Sequence, residues 1–262
     1  MSDLSDSIQG ALVLRSVDAP GVVRLTLNRP QSFNTLSEAM LDAQQAALNE
    51  SAADPAARVV VIAAEGKAFC AGHDLRDMRA KLSLDYYYEL FARCTKVMLA
   101  IQAMPKPVIA RVQGIATAAG CQLVSMCDLA VAAASARFAV SGINVGLLCA
   151  TPGVGLSRNL SRKQAMEMLL TGEFIDAETA RERGLVNSVA PDDKLDEALA
   201  ASIVAKLQVA VSMCKQLFYK QAEMGIADAY QLAGQTMACN MMDTAALEGM
   251  QAFIEKRPPD WK

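Results

Sequence analysis

Two glycine-centred segments hold the residues best placed to do chemistry, Lys67-Ala-Phe-Cys-Ala-Gly-His-Asp-Leu75 and Gly114-Ile-Ala-Thr-Ala-Ala-Gly-Cys-Gln-Leu123. Each follows an apolar run of strand formers, Arg58 to Ala64 and Val108 to Val112. In the first, Gly72 lets the backbone turn sharply and leaves the next N–H unpaired. In the second, the start of a helix supplies another free N–H at a favourable dipole end. Two such donors converging on one point form an oxyanion hole, which stabilises an enolate or tetrahedral oxyanion by about 2.7–4 kcal/mol per donor. A glycine after a strand is ordinarily only a turn. Two of them about 45 residues apart, in this order, are far more specific.

Further segments carry a resemblance: L-T-L-N-R-P at 25–30, F-C-A-G-H-D-L at 69–75, P-V-I-A-x-V-x-G at 107–114, A-G-C-Q-L at 119–123 and T-P-G-V-G at 151–155. Over most of its length the chain resembles the enoyl-CoA hydratase/isomerase (crotonase) superfamily. That resemblance implies an α/β fold, a crotonase-like spiral of ββα units with a C-terminal helical trimerisation region. It implies an acyl-CoA thioester as ligand, with coenzyme A entering as part of the substrate and no permanently bound cofactor. The oxyanion-hole amides fall on His73 and Ala119. A binding pocket falls on Phe33, Lys67, Ala71, Gly72, Asp74, Leu75, Ile115, Ala118 and Cys149. Phe253 and Lys256 of the last helix are expected to meet the coenzyme of a neighbouring subunit, in a homotrimer or dimer of trimers.

The chain departs from that pattern where proton transfer would occur. Hydratases of the superfamily place and deprotonate water with two glutamates; Gln122 and Gly142 stand at those positions here. An amide can orient water but neither takes nor gives a proton near neutral pH, and glycine has no side chain. Each positioned acid or base is worth roughly 10²- to 10⁴-fold, so a poor hydratase is expected. Cys149, Ser141, Thr117, Asp74 and His73 are candidate substitutes, and no spacing selects among them. His73 reads first as a packing side chain whose amide does the work, Asp74 as a turn-holding carboxylate, and Cys149 as a small buried residue. A crotonase-type isomerase, thioesterase or decarboxylase stays open, as does a non-catalytic acyl-CoA-binding or regulatory protein. A nicotinamide enzyme is disfavoured because Gly153-Val-Gly155-Leu-Ser-Arg158 lacks the third small residue, and a serine hydrolase because no G-x-S-x-G occurs.

The elements that must position these turns are legible in outline. Strands are expected over Ala11–Ser16 and Gly21–Asn28, then a helix from Leu36 with Thr35 and Glu38 as a capping box. A doubly buried strand covers 58–64, and a long helix covers Leu84–Met104 with Tyr87, Phe91, Cys94, Met98 and Ile101 on one stripe. Strands follow at Val108–Val112 and Leu129–Ala132, with a short helix between them after the second glycine turn. The chain becomes mainly helical from about Lys163, apart from a strand at Leu185–Val189. A core over residues 1–195 and a helical region over 196–262 are expected. With 262 residues at 53% hydrophobic content, one large core is affordable.

The formal net charge of −3 offers no basic face for nucleic acid, and no apolar run approaches the roughly 20 residues of a membrane span. The first eight residues carry two acids and no base, from which a cytoplasmic protein is expected. Seven cysteines without a C-x-x-C pair read as reduced thiols, and a single histidine argues against zinc.

Overall fold

A computed structural model describes residues 10–192, 195 and 198–261. The acidic N-terminal run therefore lies outside the described residues. Val13–Ala19 (β1) and Val22–Leu27 (β2) form an antiparallel hairpin. β1 runs three residues further than its apolar pattern indicates, so Pro20 and Gly21 alone turn the chain.

The helix Glu38–Ala53 (α1) begins two residues later than expected, and Ser37 caps it by accepting from the Met40 N–H. Thr35 does not cap because its hydroxyl is turned to the Asp74 carboxylate at 3.3 Å. Val59–Ala64 (β3) is buried along its whole length, as a strand covered on both faces must be. Ala68–Cys70 (β4) follows, then a short helix Leu75–Ala80 (α2) that the apolar period does not show, and Leu84–Ala103 (α3). On α3 the buried stripe is Leu90, Cys94, Val97, Met98 and Ile101; Tyr87 and Phe91 are only half-buried.

Val108–Val112 (β5), Ile115–Thr117 (β6) and Ala119–Met126 (α4) build the second turn, and Leu129–Ala133 (β7) and Arg137–Ala139 (β8) follow. Helices then start earlier than expected, with Ala150–Asn159 (α5) and Arg162–Thr171 (α6). Ile175–Asp176 (β9), Ala177–Arg183 (α7) and Ser188–Ala190 (β10) complete the sheets. The expected boundary at 195 adjoins residues 193–194 and 196–197, which lie outside the described residues. Beyond it come Ala198–Val204 (α8), Gln208–Ala222 (α9), Ile226–Met241 (α10) and Thr244–Glu255 (α11).

The strands make two sheets, β1-β2-β3-β5-β7-β10 and β4-β6-β8-β9. Successive pairs β3/β4, β5/β6 and β7/β8 each give one strand to either sheet, which is a spiral of ββ units interleaved with helices. β4, β6 and β8 lie parallel, with Cys70 beside Ala116 and Thr117 beside Ala139. The residues following β4 and β6 therefore emerge side by side at the same edge, about 4.8 Å apart, one strand spacing. Phe69 and Phe138, fully buried, pack this small sheet into the core.

Candidate active site

The first turn is oriented by its carbonyls. The Leu36 N–H donates to the Gly72 carbonyl at 2.8 Å, and in a trans peptide the His73 N–H points the opposite way. Gly72 has φ +90°, and a side-chain carbon there would sit 2.9 Å from the Ala118 Cβ and 3.3 Å from the Ala119 nitrogen. The two turns thus touch at glycines, at Gly72 and also at Gly114 and Gly120, where a side-chain carbon would lie 1.9 Å from the Lys67 carbonyl oxygen and 2.1 Å from that of Cys70.

In the second turn the Gln122 N–H donates to the Ala118 carbonyl at 3.0 Å, opening α4. The Ala119 N–H, on the first helical residue, faces out of the helix start. Among the described residues, neither the His73 nor the Ala119 N–H donates to a backbone carbonyl in these turns and caps. Ala118 holds φ 50° and ψ −121°, a conformation strained for a residue with a Cβ. Its own N–H is fixed by the Ala139 carbonyl at 3.0 Å.

A loop missed in the sequence pins the first turn. Phe33 and Asn34 both have positive φ, and Asn34 is fully buried. The Asn34 side chain accepts from the Arg29 N–H and donates to the Glu65 and Ala68 carbonyls at 2.9 and 2.8 Å. The Ala71 N–H donates to the Phe33 carbonyl at 3.0 Å, so this loop and the turn form one unit. The signal available was an Asn, the residue that best tolerates the left-handed region, directly after an exposed aromatic. Asp74 is occupied as the cap of α2, accepting from the Arg76 N–H, and receives Arg29 and Thr35 at 3.4 and 3.3 Å.

His73 is half-buried. Its Nδ1 lies 3.3 Å from the Leu36 carbonyl, its ring meets Phe91 edge-on at 5.5 Å, and its Nε2 is sealed without a partner. Burial lowers its pKa below the ordinary value; the Leu36 contact opposes that. Thr117 and Ser141 share a hydrogen bond at 2.8 Å. Gly142 is not an open vacancy, because a Cβ there would lie 2.7 Å from the Cys149 Sγ. The Cys149 S–H points to the Val140 carbonyl at 3.4 Å, and burial raises its pKa although the Gly142 and Ile143 N–H groups favour the thiolate. Gln122 is buried with its Oε1 unpartnered.

Of the other expected pocket residues, Lys67, Leu75 and Ile115 are exposed around the turns, and Ala71 is half-buried. Phe253 and Lys256 lie at the end of α11, Phe253 being 85% exposed in the single chain.

Fold and strand order define the class: a mixed α/β protein of the crotonase type. A model described as Enoyl-CoA hydratase/isomerase matches residues 18–262, and the chain belongs to that family. A crystal structure of an enoyl-CoA hydratase from Mycobacterium smegmatis is 64% identical, with TM-score 0.94 over 95% of this chain and 98% of that one. The structure of human enoyl Coenzyme A hydratase domain-containing protein 3 is 42% identical, with TM-score 0.92 over 95% of this chain and all of that one. The mitochondrial enoyl-CoA hydratase domain-containing protein 3 of Xenopus laevis is 44% identical over 244 residues, 92% of this chain and 83% of its own length. The expected cytoplasmic setting is overturned here, since the Xenopus laevis relative is named mitochondrial, as is the rat protein. An acid-rich start with no early base is not a sufficient guide to compartment.

Proposed function

We propose that the chain binds an acyl-CoA thioester and polarises its carbonyl with the N–H groups of His73 and Ala119. The convergence of the two turns at Gly72 carries this reading. Gly72 leaves room for the close approach, the Gly72 and Ala118 carbonyls are turned away, and both N–H groups remain free. The thioester oxygen would accept both hydrogen bonds, lowering the barrier to any step that builds negative charge on it.

Proton transfer is the weak part of this site. Gln122 and Gly142 supply no acid or base, Cys149 stays a thiol, and His73 has one nitrogen at the Leu36 carbonyl. The site therefore favours binding and polarisation with slow hydration. Coenzyme A would enter with the acyl group, and the exposed end of α11 would serve a neighbouring subunit's coenzyme in a trimer or dimer of trimers.

A conjugated dienoyl-CoA tests the reading directly, because hydrogen bonds to its carbonyl draw electron density along the chain and shift its absorbance to longer wavelength. A red shift on mixing, with slow loss of the enoyl absorbance, is the expected result. Binding without a shift would refute the polarising hole, and fast hydration would refute the weak acid–base reading.

A further inference from the structure

The imidazole of His73 is tied to the peptide that its own N–H belongs to. Leu36 is gripped twice by the first turn: its N–H donates to the Gly72 carbonyl at 2.8 Å, and its carbonyl lies 3.3 Å from His73 Nδ1. A carbonyl only accepts, so Nδ1 carries the proton and Nε2 is the bare acceptor of the neutral ring. The two bonds make a clip across the Gly72–His73 peptide, closed by the side chain. The ring also meets Phe91 of α3 edge-on, and Nε2 is sealed from solvent without a partner. A second proton would put a charged N–H where nothing accepts it, and burial accordingly pushes the pKa down.

Among the described residues, burial and the Leu36 carbonyl are the only influences on this ring's titration. In the turn, Asp74 is held by Arg29 and the Arg76 N–H, and burial pushes the Cys70 thiol up to about 12. On α1, Glu38 pairs with Lys81 and Asp42 with Arg93. On α3, burial pushes the Cys94 thiol up to about 12 and raises the Tyr86 phenol, while Asp85 and Glu89 are exposed, as are Arg76, Asp77 and Arg79 of α2. With no carboxylate to receive it, a charged ring must move out to water, and the clip opens. We propose that the His73 imidazole is an acid-sensitive latch on its own amide: neutral, it holds the N–H toward the thioester, and protonated, it swings to solvent and lets that N–H turn away. This rests on the reading under Proposed function. Because the ligand needs the latched form, binding must in turn make the imidazole harder to protonate, the same coupling seen from the other side.

His73 is the single histidine of the chain, so the imidazole signals of 15N-labelled protein belong to it alone. They are followed by NMR, in the free chain and in the chain saturated with 2,4-hexadienoyl-CoA, as pH is lowered from 7.5 until the ring is charged or the chain unfolds. The ligand is expected to move the titration midpoint down by at least about one pH unit. Affinity for the dienoyl ester should fall about tenfold per pH unit below the free-chain midpoint, since the binding-competent fraction falls by that factor. In His73→Gln the affinity, whatever its value at pH 7.5, should lack that dependence. Equal midpoints with and without ligand would overturn the latch alone, as would a ring still neutral when the chain unfolds, or the same acid loss in His73→Gln. The midpoints come from the unmodified chain, so they decide even where the variant does not fold. A bound dienoyl ester with no red shift at any pH, or no binding at all, would instead overturn the polarising hole beneath the latch.

Discussion

Gly72 is one of the glycines on which the two turns meet, and its replacement tests their contact. In Gly72→Ala the new carbon lies 2.9 Å from the Ala118 Cβ at a φ of +90°, so the turns must separate. The expected outcome is a loss of about 1–3 kcal/mol in stability and disappearance of the dienoyl-CoA red shift. The second family position is different, because Cys149 has filled it. Restoring acid–base chemistry with Gln122→Glu and Gly142→Glu should fail while the Sγ stands 2.7 Å from the new carbon, and should succeed when Cys149→Ala is added. A gain of at least about 10²-fold in enoyl-CoA hydration over the pair without Cys149→Ala is the expected readout, and equal rates would contradict the packing argument. His73 adds a pH signature. Burial depresses its folded pKa below 6.5, so its neutral form is favoured on folding; that contribution is complete above pH 6.5 and is lost as pH falls toward the folded value. Melting temperatures from pH 7.5 to 5 should therefore drop less in His73→Gln than in the unmodified chain. The two turns were legible because glycine and a helix start are local features. Asn34 and the Cys149 plug were not, since each depends on which distant segment the fold brings alongside.

At the scale of elements, the strands and long helices follow their apolar periods, and the errors lie at ends and short pieces. Thr35 looked like a cap because its spacing to Glu38 fits, yet its hydroxyl faces Asp74 and Ser37 does the capping. α2 and β6 escaped because six and three residues are too few for a period to show. What ties the helical region to the sheets was also invisible. Lys215 on α9 is buried and donates to the Ile101 and Lys106 carbonyls at 2.7 and 2.9 Å and to Asp128 at 2.6 Å. Asp128 also receives the Val108 N–H at 2.6 Å and the Tyr219 hydroxyl at 2.8 Å. Burial raises the Asp128 pKa and lowers that of Lys215, each charge offsetting the other's desolvation. Lys215→Met strands a buried carboxylate and two carbonyls, so a loss of about 3–5 kcal/mol in denaturant unfolding is expected. Adding Asp128→Asn should recover part of it, because the uncompensated charge is gone. Equal stability of Lys215→Met and the unmodified chain would show that α9 is held by apolar packing alone.

The whole molecule leaves apolar surface uncovered in a way a lone chain of this size does not ordinarily tolerate. Phe218 on α9, Ile226 and Tyr230 on α10, Met242 after it, and Phe253 and Ile254 on α11 are all exposed. The spiral exposes apolar side chains too, Leu82, Leu84, Leu148 and Leu170 among them, but such residues stand closer together in sequence on the helices that follow it. Self-association through those helices, as a trimer or dimer of trimers, is the arrangement expected to cover their apolar surface. Sedimentation velocity at micromolar concentration should show one of those sizes, and Ile226→Lys with Tyr230→Lys should shift the population toward single chains that still fold. Coenzyme ester binding separates association from function. If the end of α11 reaches a neighbour's coenzyme, the dissociated variant and Phe253→Ala should both weaken acyl-CoA binding, each by about tenfold, or 1.4 kcal/mol. Phe253→Ala should do so without changing the sedimentation coefficient. Unchanged affinity in both would confine each binding site to a single chain, and a monomeric unmodified protein would remove the reason for the apolar helices altogether.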